Sequence, residues 1–426
     1  MAGPIAGVRS SQWFRRDRFS RDRYGSRQIV LRIVLALVTA FVFVTGWSLG
    51  HALTATGGGT LPERVAEWAR NHYLGPVVTF GEWLTYSPPK KGGNPGVSFN
   101  KLGGKAVSKP ACGAKKGTKA AKHATDARTA GHAKKTTAGK CKKVHHGLTP
   151  IIPANLGSMA GKPLAGEGQW KEVEAVHGVP AVFKTYIRFS KIYSSYYAGI
   201  VSMDQRLVKF SLWPGSEDPG PGNWGRPEYI EPRHRRGILA TFNSGFRVYA
   251  SGGGFYLNGH YDGRLVKGVA SEVYYKDGRL AIGNWGRGRL HMGPDIAAVR
   301  QNLHLVVIHG KVPASVDQNV EASWGATLGG AYYVWRSGIG ITRDGRIVYV
   351  YGPELDVRTL AELLKRAGCV TGMELDINPD WMSFMYYLAK NHPANPTPVN
   401  LLPDQIQPPD RYYYPANRDF TAVFAR

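Results

Sequence analysis

The run from Ile29 to Leu49 spans 21 residues and carries one charge, Arg32. As a helix it is about 31 Å long, close to the hydrocarbon thickness of a bilayer. Arg15, Arg16, Arg18, Arg21, Arg23 and Arg27 precede it, and between Leu49 and Lys90 there are only two Arg and no Lys. That asymmetry places residues 1–28, a basic arm, in the cytoplasm and everything after residue 50 outside. The stem of Arg32 can reach back to the headgroups. Gly50-His51-Ala52 offers a small-x-small cleavage site. The long basic arm and long apolar run instead favour an uncleaved signal-anchor over residues 29–49. The predicted location is the cell membrane, single-pass, with the C-terminal part extracytoplasmic.

Charge elsewhere separates folded from unfolded chain. The net charge is +25. Residues 1–32 hold eight Arg and two Asp, and residues 101–144 hold twelve Lys, one Arg and one Asp. Most of the positive charge therefore sits in segments with little apolar content. A nucleic-acid-binding fold would carry it on the folded part, so no nucleic-acid partner is expected. Residues 101–146 are Lys, Ala, Gly, Thr and His with few large apolar side chains, and predict a disordered, self-repelling linker. Anionic wall polymers are a possible partner for it, and a solvated spacer is the plainer reading. Cys112 and Cys141 lie within it and could pair in an oxidising exterior. Cys369 is read as a small buried residue.

Residues 50–100 read as an extracytoplasmic stem. Thr60 and Glu63 form a capping box, and Leu61, Val65 and Trp68 share a stripe, which predicts a helix from Leu61 to Asn71. Gly75 and Pro88-Pro89 are expected to end regular structure.

Residues 147–426 contain short apolar or β-branched runs: Tyr197–Met203, Val208–Trp213, Ile238–Phe242, Phe255–Leu257, Ser271–Tyr275, Leu280–Gly283 and His304–Ile308. Lys276-Asp277-Gly278 and Arg343-Asp344-Gly345 predict two hairpin turns. Leu360, Leu363, Leu364 and Ala367 lie on one helical face, with Thr359 and Glu362 as its capping box and Gly368 at its end. A strand, Gly372–Asp376, follows. The expected class is α+β: a largely antiparallel or mixed sheet with a few packed helices, preceded by the membrane helix and the linker.

Candidate site residues follow from this layout. In a strand, Glu374 and Asp376 share a face about 6.6 Å apart. Paired carboxyls raise one pKa, which suits acid/base work, although a strand end can equally carry carboxylates that pair with Arg. Arg336 can hold two phosphate oxygens at once. Asn243 lies at a strand end before Gly245, where its amide could reach a sugar hydroxyl or simply form a turn. His260 is placed at the cleft lining. Asp376, Asn378 and Asp380 copy the opening of a calcium loop, but Trp381 and Tyr387 replace the required Gly and Glu, which excludes an EF-hand. No cofactor is expected. A looser divalent-metal site on those oxygens stays open. Gly252-Gly253-Gly254 lacks a following Lys-Ser/Thr, which excludes a P-loop.

Several of these segments resemble the phosphodiester glycosidase family. Ala240-Thr241-Phe242-Asn243-Ser244-Gly245-Phe246 is similar to its Asn-Gly-Gly-Phe segment. Arg336-Ser337-Gly338-Ile339-Gly340-Ile341 resembles its Arg-Thr-x-x-Gly hairpin entry. The Asp-Gly hairpin, the Leu-rich helix, Glu374-Leu375-Asp376 and Asp419-Phe420-Thr421 follow in the family's order. The resemblance covers roughly residues 190–426, as a divergent, bacterial-type member. The family's Asn-Leu-Asp-Gly-Gly-Gly-Ser reads Glu374-Leu375-Asp376-Ile377-Asn378-Pro379-Asp380 here. The resemblance implies a hydrolase cleaving a sugar from a glycosyl-1-phosphodiester in cell-surface or polysaccharide material. Asp376, Glu374 and Arg336 would be its catalytic residues, and Asn243, Gly245, Asn378 and His260 would bind substrate. The altered segment supports an alternative: a non-catalytic surface protein binding anionic glycans.

Overall fold

The computed structural model describes residues 16–54, 61–106, 148–318, 321–325, 332–389 and 392–426. Thr60, Cys112, Cys141 and linker residues 107–146 lie outside them.

Helix α1 (Arg16–Thr54) contains the apolar run, and its stretch from Arg27 to Thr54 is long and apolar enough to cross a membrane. Its apolar side chains are exposed from Ile29 through Val44, as a lipid-facing segment requires. Helix α2 (Leu61–Asn71) has the bounds that its stripe predicts. In this N-terminal unit the Trp68 indole donates to Ser48 Oγ at 3.0 Å, and Arg64 donates to the Leu53 carbonyl at 2.7 Å. Gly75 starts a helix, α3 (Gly75–Thr85), rather than ending one. Pro76 follows it at the first turn, where a missing N–H costs nothing and the fixed φ is already helical.

The second compact unit holds the sheets and includes residues 79–426. Eight strands form one sheet: β1 (Lys105–Ala106), β2 (Lys171–Val176), β3 (Val179–Ile187), β4 (Ala198–Met203), β12 (Leu305–Ile308), β13 (Val334–Thr342), β14 (Ile347–Leu355) and β15 (Cys369–Glu374). Their spatial order is β1-β2-β3-β4-β14-β13-β15-β12. A five-stranded sheet is built from β5 (Val208–Trp213), β6 (Ile238–Asn243), β16 (Phe384–Leu388), β17 (Thr397–Asn400) and β18 (Phe420–Ala425), in the order β17-β16-β6-β18-β5. The third sheet contains β7 (Phe255–Leu257), β8 (His260–Asp262), β9 (Ala270–Tyr275), β10 (Leu280–Asn284) and β11 (Ile296–Gln301). The ladders are antiparallel, among them the two Asp-Gly hairpins β9–β10 and β13–β14. Gly278 and Gly345 take φ of 84° at these turns, which a side chain would oppose. The fold is α+β, as the strand and helix patterns require.

One core joins all three sheets. Ile339, Tyr349 and Met373 meet Phe242, Phe384 and Val423 of the second sheet, and Phe255 and Tyr274 of the third. Helix α5 (Val357–Arg366), which follows the single turn α4 (Glu321–Trp324), buries Leu360, Leu363 and Leu364 against Val348 and Val350 on the other face of the eight-stranded sheet. Its N-cap is Asp356, whose carboxylate accepts the Thr359 N–H at 2.6 Å, not Thr359 itself. Either side chain could cap here; the backbone at Asp356 is extended while Thr359 is already helical.

The chain ahead of residue 147 contributes to this unit. Phe99 is buried in the main core, edge-on to Tyr197 at 5.2 Å, and β1 adds to the sheet edge through Lys105–Glu172 and Ala106–Lys171 pairing. Lys171 Nζ donates to the carbonyls of Phe99 and Asn100. A boundary at 147 leaves this out because the composition of 88–106 is Pro- and Gly-rich, with Phe99 its only large aromatic anchor.

Candidate active site

Strand β15 ends at Glu374, two residues before Asp376, so the strand's period of two does not extend to Asp376. Glu374 lies opposite Gly338 in the ladder, and a side chain at Gly338 would meet Leu360 of α5 at 3.1 Å. Glu374 therefore projects to the face that α5 covers. Arg336, two residues from Gly338, is there as well. Its Nη1 donates to Glu374 Oε1 at 2.5 Å and its Nε to the Leu355 carbonyl at 2.9 Å. Both side chains are fully buried. Burial pushes Glu374 up to about 7 against the opposing pull of Arg336. Arg336 and Glu374 are thus brought together, but as a buried ion pair with each other rather than at a cleft.

Beyond the strand, Asp376 has its own set of partners, although its charge adds to the rise of the Glu374 pKa. Its Oδ1 accepts the N–H groups of Ile377 (2.7 Å) and Asn378 (2.9 Å), and its Oδ2 lies 3.3 Å from Arg418 Nη2. Asn378 Oδ1 accepts the Asp380 N–H at 2.9 Å. The oxygens considered for a metal loop thus fold their own loop. Among the described residues no group of three His, Cys, Asp or Glu side chains could hold a metal ion.

Arg418 is the hub. Nη2 also donates to the Gly245 carbonyl at 3.2 Å, and Nε lies 3.5 Å from Asp218 Oδ2. Two carboxyls from distant parts of the chain, Asp376 and Asp218, thereby share one guanidinium. Burial raises the pKa of both, with Arg418 the largest opposing influence. Arg300 closes the network: its Nε donates to Asp419 Oδ2 at 2.8 Å, and its Nη2 is 3.6 Å from Asp218 Oδ2. Asp218 in turn accepts the Val248 N–H. Trp381 lies against Arg418 at 5.4 Å.

The remaining expected residues fall in different places. Gly245 belongs to the network; a side chain there would strike Asn302 at 2.7 Å. Asn302 is fully buried, accepts the Phe246 N–H and donates to the Glu374 carbonyl. Asn243 is buried with its amide committed: Nδ2 donates to the Ser244 carbonyl and Ser337 Oγ, and Oδ1 accepts from Tyr349 and the Ser383 N–H. It ties β6 to the loop of Asp376, because Ser337 Oγ and Ser337 N–H both donate to the Asp376 carbonyl. His260 is exposed on β8 and its ring meets Trp224 at 6.3 Å. Arg418, Asp218, Arg300 and Asn302 are absent from the sequence reading. The signal available for Arg418 is its adjacency to Asp419 at the start of an apolar strand, where charges are destined for burial.

An α+β domain with a buried Asp–Arg–Asp centre at strand ends is the class that fold and geometry define. No family model matches this chain, and no curated protein matches it. Among solved structures, the zebrafish N-acetylglucosamine-1-phosphodiester alpha-N-acetylglucosaminidase catalytic domain, auto-inhibited by its pro-peptide, is similar at 14% identity, over 61% of this chain and 88% of that one, with a TM-score of 0.37. A hypothetical protein from Synechocystis is similar at 12% identity, over 58% of this chain and 63% of that one, with a TM-score of 0.33.

Proposed function

We propose that the domain hydrolyses a glycosyl-1-phosphodiester of cell-surface or polysaccharide material, as a divergent relative of the phosphodiester glycosidases. The observation that carries this reading is the sharing of Arg418 by Asp376 and Asp218, two carboxyls whose pKa values burial raises. Glycoside cleavage uses two carboxyl groups and passes through an oxocarbenium-like state. A phosphate monoester is already a weakly basic leaving group, so little general acid is needed on its side. One carboxylate activates water or stabilises the sugar cation, and a guanidinium offsets charge on the phosphate. Asp376 takes the first role in this proposal. Arg336 and Glu374 act through position, by holding the strand end from which its loop departs. Gly245 and Asn378 shape the same loop region, Asn243 braces it, and His260 remains a candidate contact for the glycan beyond the centre.

The domain would work outside the cell, with α1 as its membrane anchor and the Lys-rich segment available to anionic wall polymers. The near-complete burial of Asp376 favours a second reading, a non-catalytic glycan-binding protein on the same scaffold. One experiment separates the two. The full chain in detergent is assayed against a panel of glycosyl phosphodiesters, beside Asp376→Asn. Hydrolysis reduced at least ~100-fold by the substitution supports the first reading. Binding without turnover supports the second, and turnover indifferent to Asp376→Asn removes the role given to that residue.

A further inference from the structure

Helix α2 doubles back along the end of α1. Arg64 donates to the Leu53 carbonyl at 2.7 Å, the Trp68 indole donates to Ser48 Oγ at 3.0 Å, and His72 Nε2 lies 3.2 Å from the same Ser48 Oγ. The contacts move from Leu53 to Ser48 on α1 as they move from Arg64 to His72 on α2, so the two helices run antiparallel. Those five residues of α1 span about 7.5 Å of depth. The chain that leaves the apolar run after Leu49 is therefore back at the level of Ser48 when it reaches His72. Stacking of Trp68 on His72 at 4.5 Å, and the Leu74 N–H donated to the Ala69 carbonyl at 2.8 Å, fix the end of α2 there.

What emerges at that level is apolar and exposed. Tyr73 is 96% exposed, Leu74 42% and Val77 66%. Helix α3 carries one charged residue, Glu82. Tyr73 takes φ of 62°, a conformation that disfavours a bulky residue, and a ring so exposed gains no packing among the described residues to offset it. On α1, Trp47 is also exposed one residue before Ser48. Tyr and Trp concentrate at membrane–water interfaces, where one end of the ring is apolar and the other wet.

We propose that Tyr73, Leu74 and the first turn of α3 insert into the outer leaflet of the bilayer, as a second membrane contact beside α1. This rests on the reading of α1 as membrane-spanning. The occupant is lipid because the patch returns to the depth of Ser48, one residue inside the end of the apolar run Ile29–Leu49. Apolar side chains exposed at that depth meet the boundary between headgroups and acyl chains, where interfacial segments bury about 5–10 Å.

The test uses the full chain in vesicles of phosphatidylcholine and phosphatidylglycerol, with lipids carrying a doxyl quencher near the headgroup. An environment-sensitive fluorophore is placed at one site at a time through Val44→Cys in α1, Leu61→Cys at the start of α2 or Val77→Cys in α3, on a Cys112→Ser/Cys141→Ser background. All three sites are exposed, and Cys369 is buried away from the label. The labels at 44 and 77 should be quenched, the second to at least about half the extent of the first. The label at 61, about 16 Å along α2 from His72, should not be quenched. Tyr73→Ser/Leu74→Ser should reduce quenching at 77 at least ~2-fold and leave that at 44 unchanged, a split that a merely structural role for these residues would not give. Quenching at 44 without quenching at 77 overturns the proposal and keeps the anchor. Equal quenching at 61 and 77 overturns the depth order behind it. A blue shift at 77 that follows protein concentration and ignores the doxyl lipid means that a second copy covers the patch, and overturns it as well. No quenching at 44 removes the membrane-spanning reading of α1, and the proposal with it.

Discussion

Arg336→Met isolates the buried pair under α5. Removing the cation strands Glu374, whose Oε2 has no hydrogen-bond partner among the described residues, on the sheet face covered by Leu360. Breaking a buried ion pair from one side costs about 3–5 kcal/mol. Glu374 can escape part of this by taking a proton, and burial holds it near 7 even with Arg336 present. Its folded pKa is raised, so the native state binds more protons than the unfolded chain between about 4.5 and 7. Stability contributed by the protonated form is therefore lost as pH rises, and without Arg336 that window extends further upward. The loss in Arg336→Met should approach about 3–5 kcal/mol near pH 8 and shrink toward pH 5. Urea unfolding followed by tryptophan fluorescence at both pH values measures it. The double variant Arg336→Met/Glu374→Leu should recover most of the loss, since an apolar pair of similar volume is often neutral or stabilising by about 1–4 kcal/mol. A loss equal at both pH values, or no recovery in the double variant, would refute the ion-pair account.

Other outcomes follow from single sites. Glu272 is fully buried, receives the Tyr274 hydroxyl at 3.1 Å and is raised to about 8 by burial. Stability should then fall as pH rises from about 5 to 8, by up to ~1.4 kcal/mol per pH unit, and Glu272→Gln should flatten that slope in urea titrations. Gly245→Ala should cost about 1–3 kcal/mol by overpacking against Asn302, read as a lowered urea midpoint; an unchanged midpoint would mean that Asn302 yields freely. For topology, a reporter fused before residue 28 should be active only in the cytoplasm and one after residue 426 only outside; the reverse would exclude α1 as an inward-anchored helix.

The local rules were readable in the chain. α2 and the two Asp-Gly hairpins follow from periodicity and turn chemistry, which act over a few residues. The face of Glu374 and Asp376 was not, because period two holds only while a strand continues and β15 stops at Glu374. Arg336 was legible as a guanidinium opening a hairpin strand, but its partner is set by which sheet face α5 covers. Asp218 and Arg418 are 200 positions apart and meet only through tertiary packing. Asn243 looks the same in sequence whether it faces a ligand or four protein partners.

The docking of Phe99 and β1 changes what the Lys-rich segment is for. Residues up to Ala106 are fixed in the sheet, and Leu148 packs against the same core on the far side of residues 107–147. Both ends of the Lys-rich segment, Ala106 and Leu148, therefore belong to the same compact unit. A cut within it would nick the protein without shedding the domain, because Phe99, Lys171 and the β1–β2 ladder still hold the two pieces together. Lengthening or shortening it would change how much positive charge the chain carries between two attachment points of one compact unit.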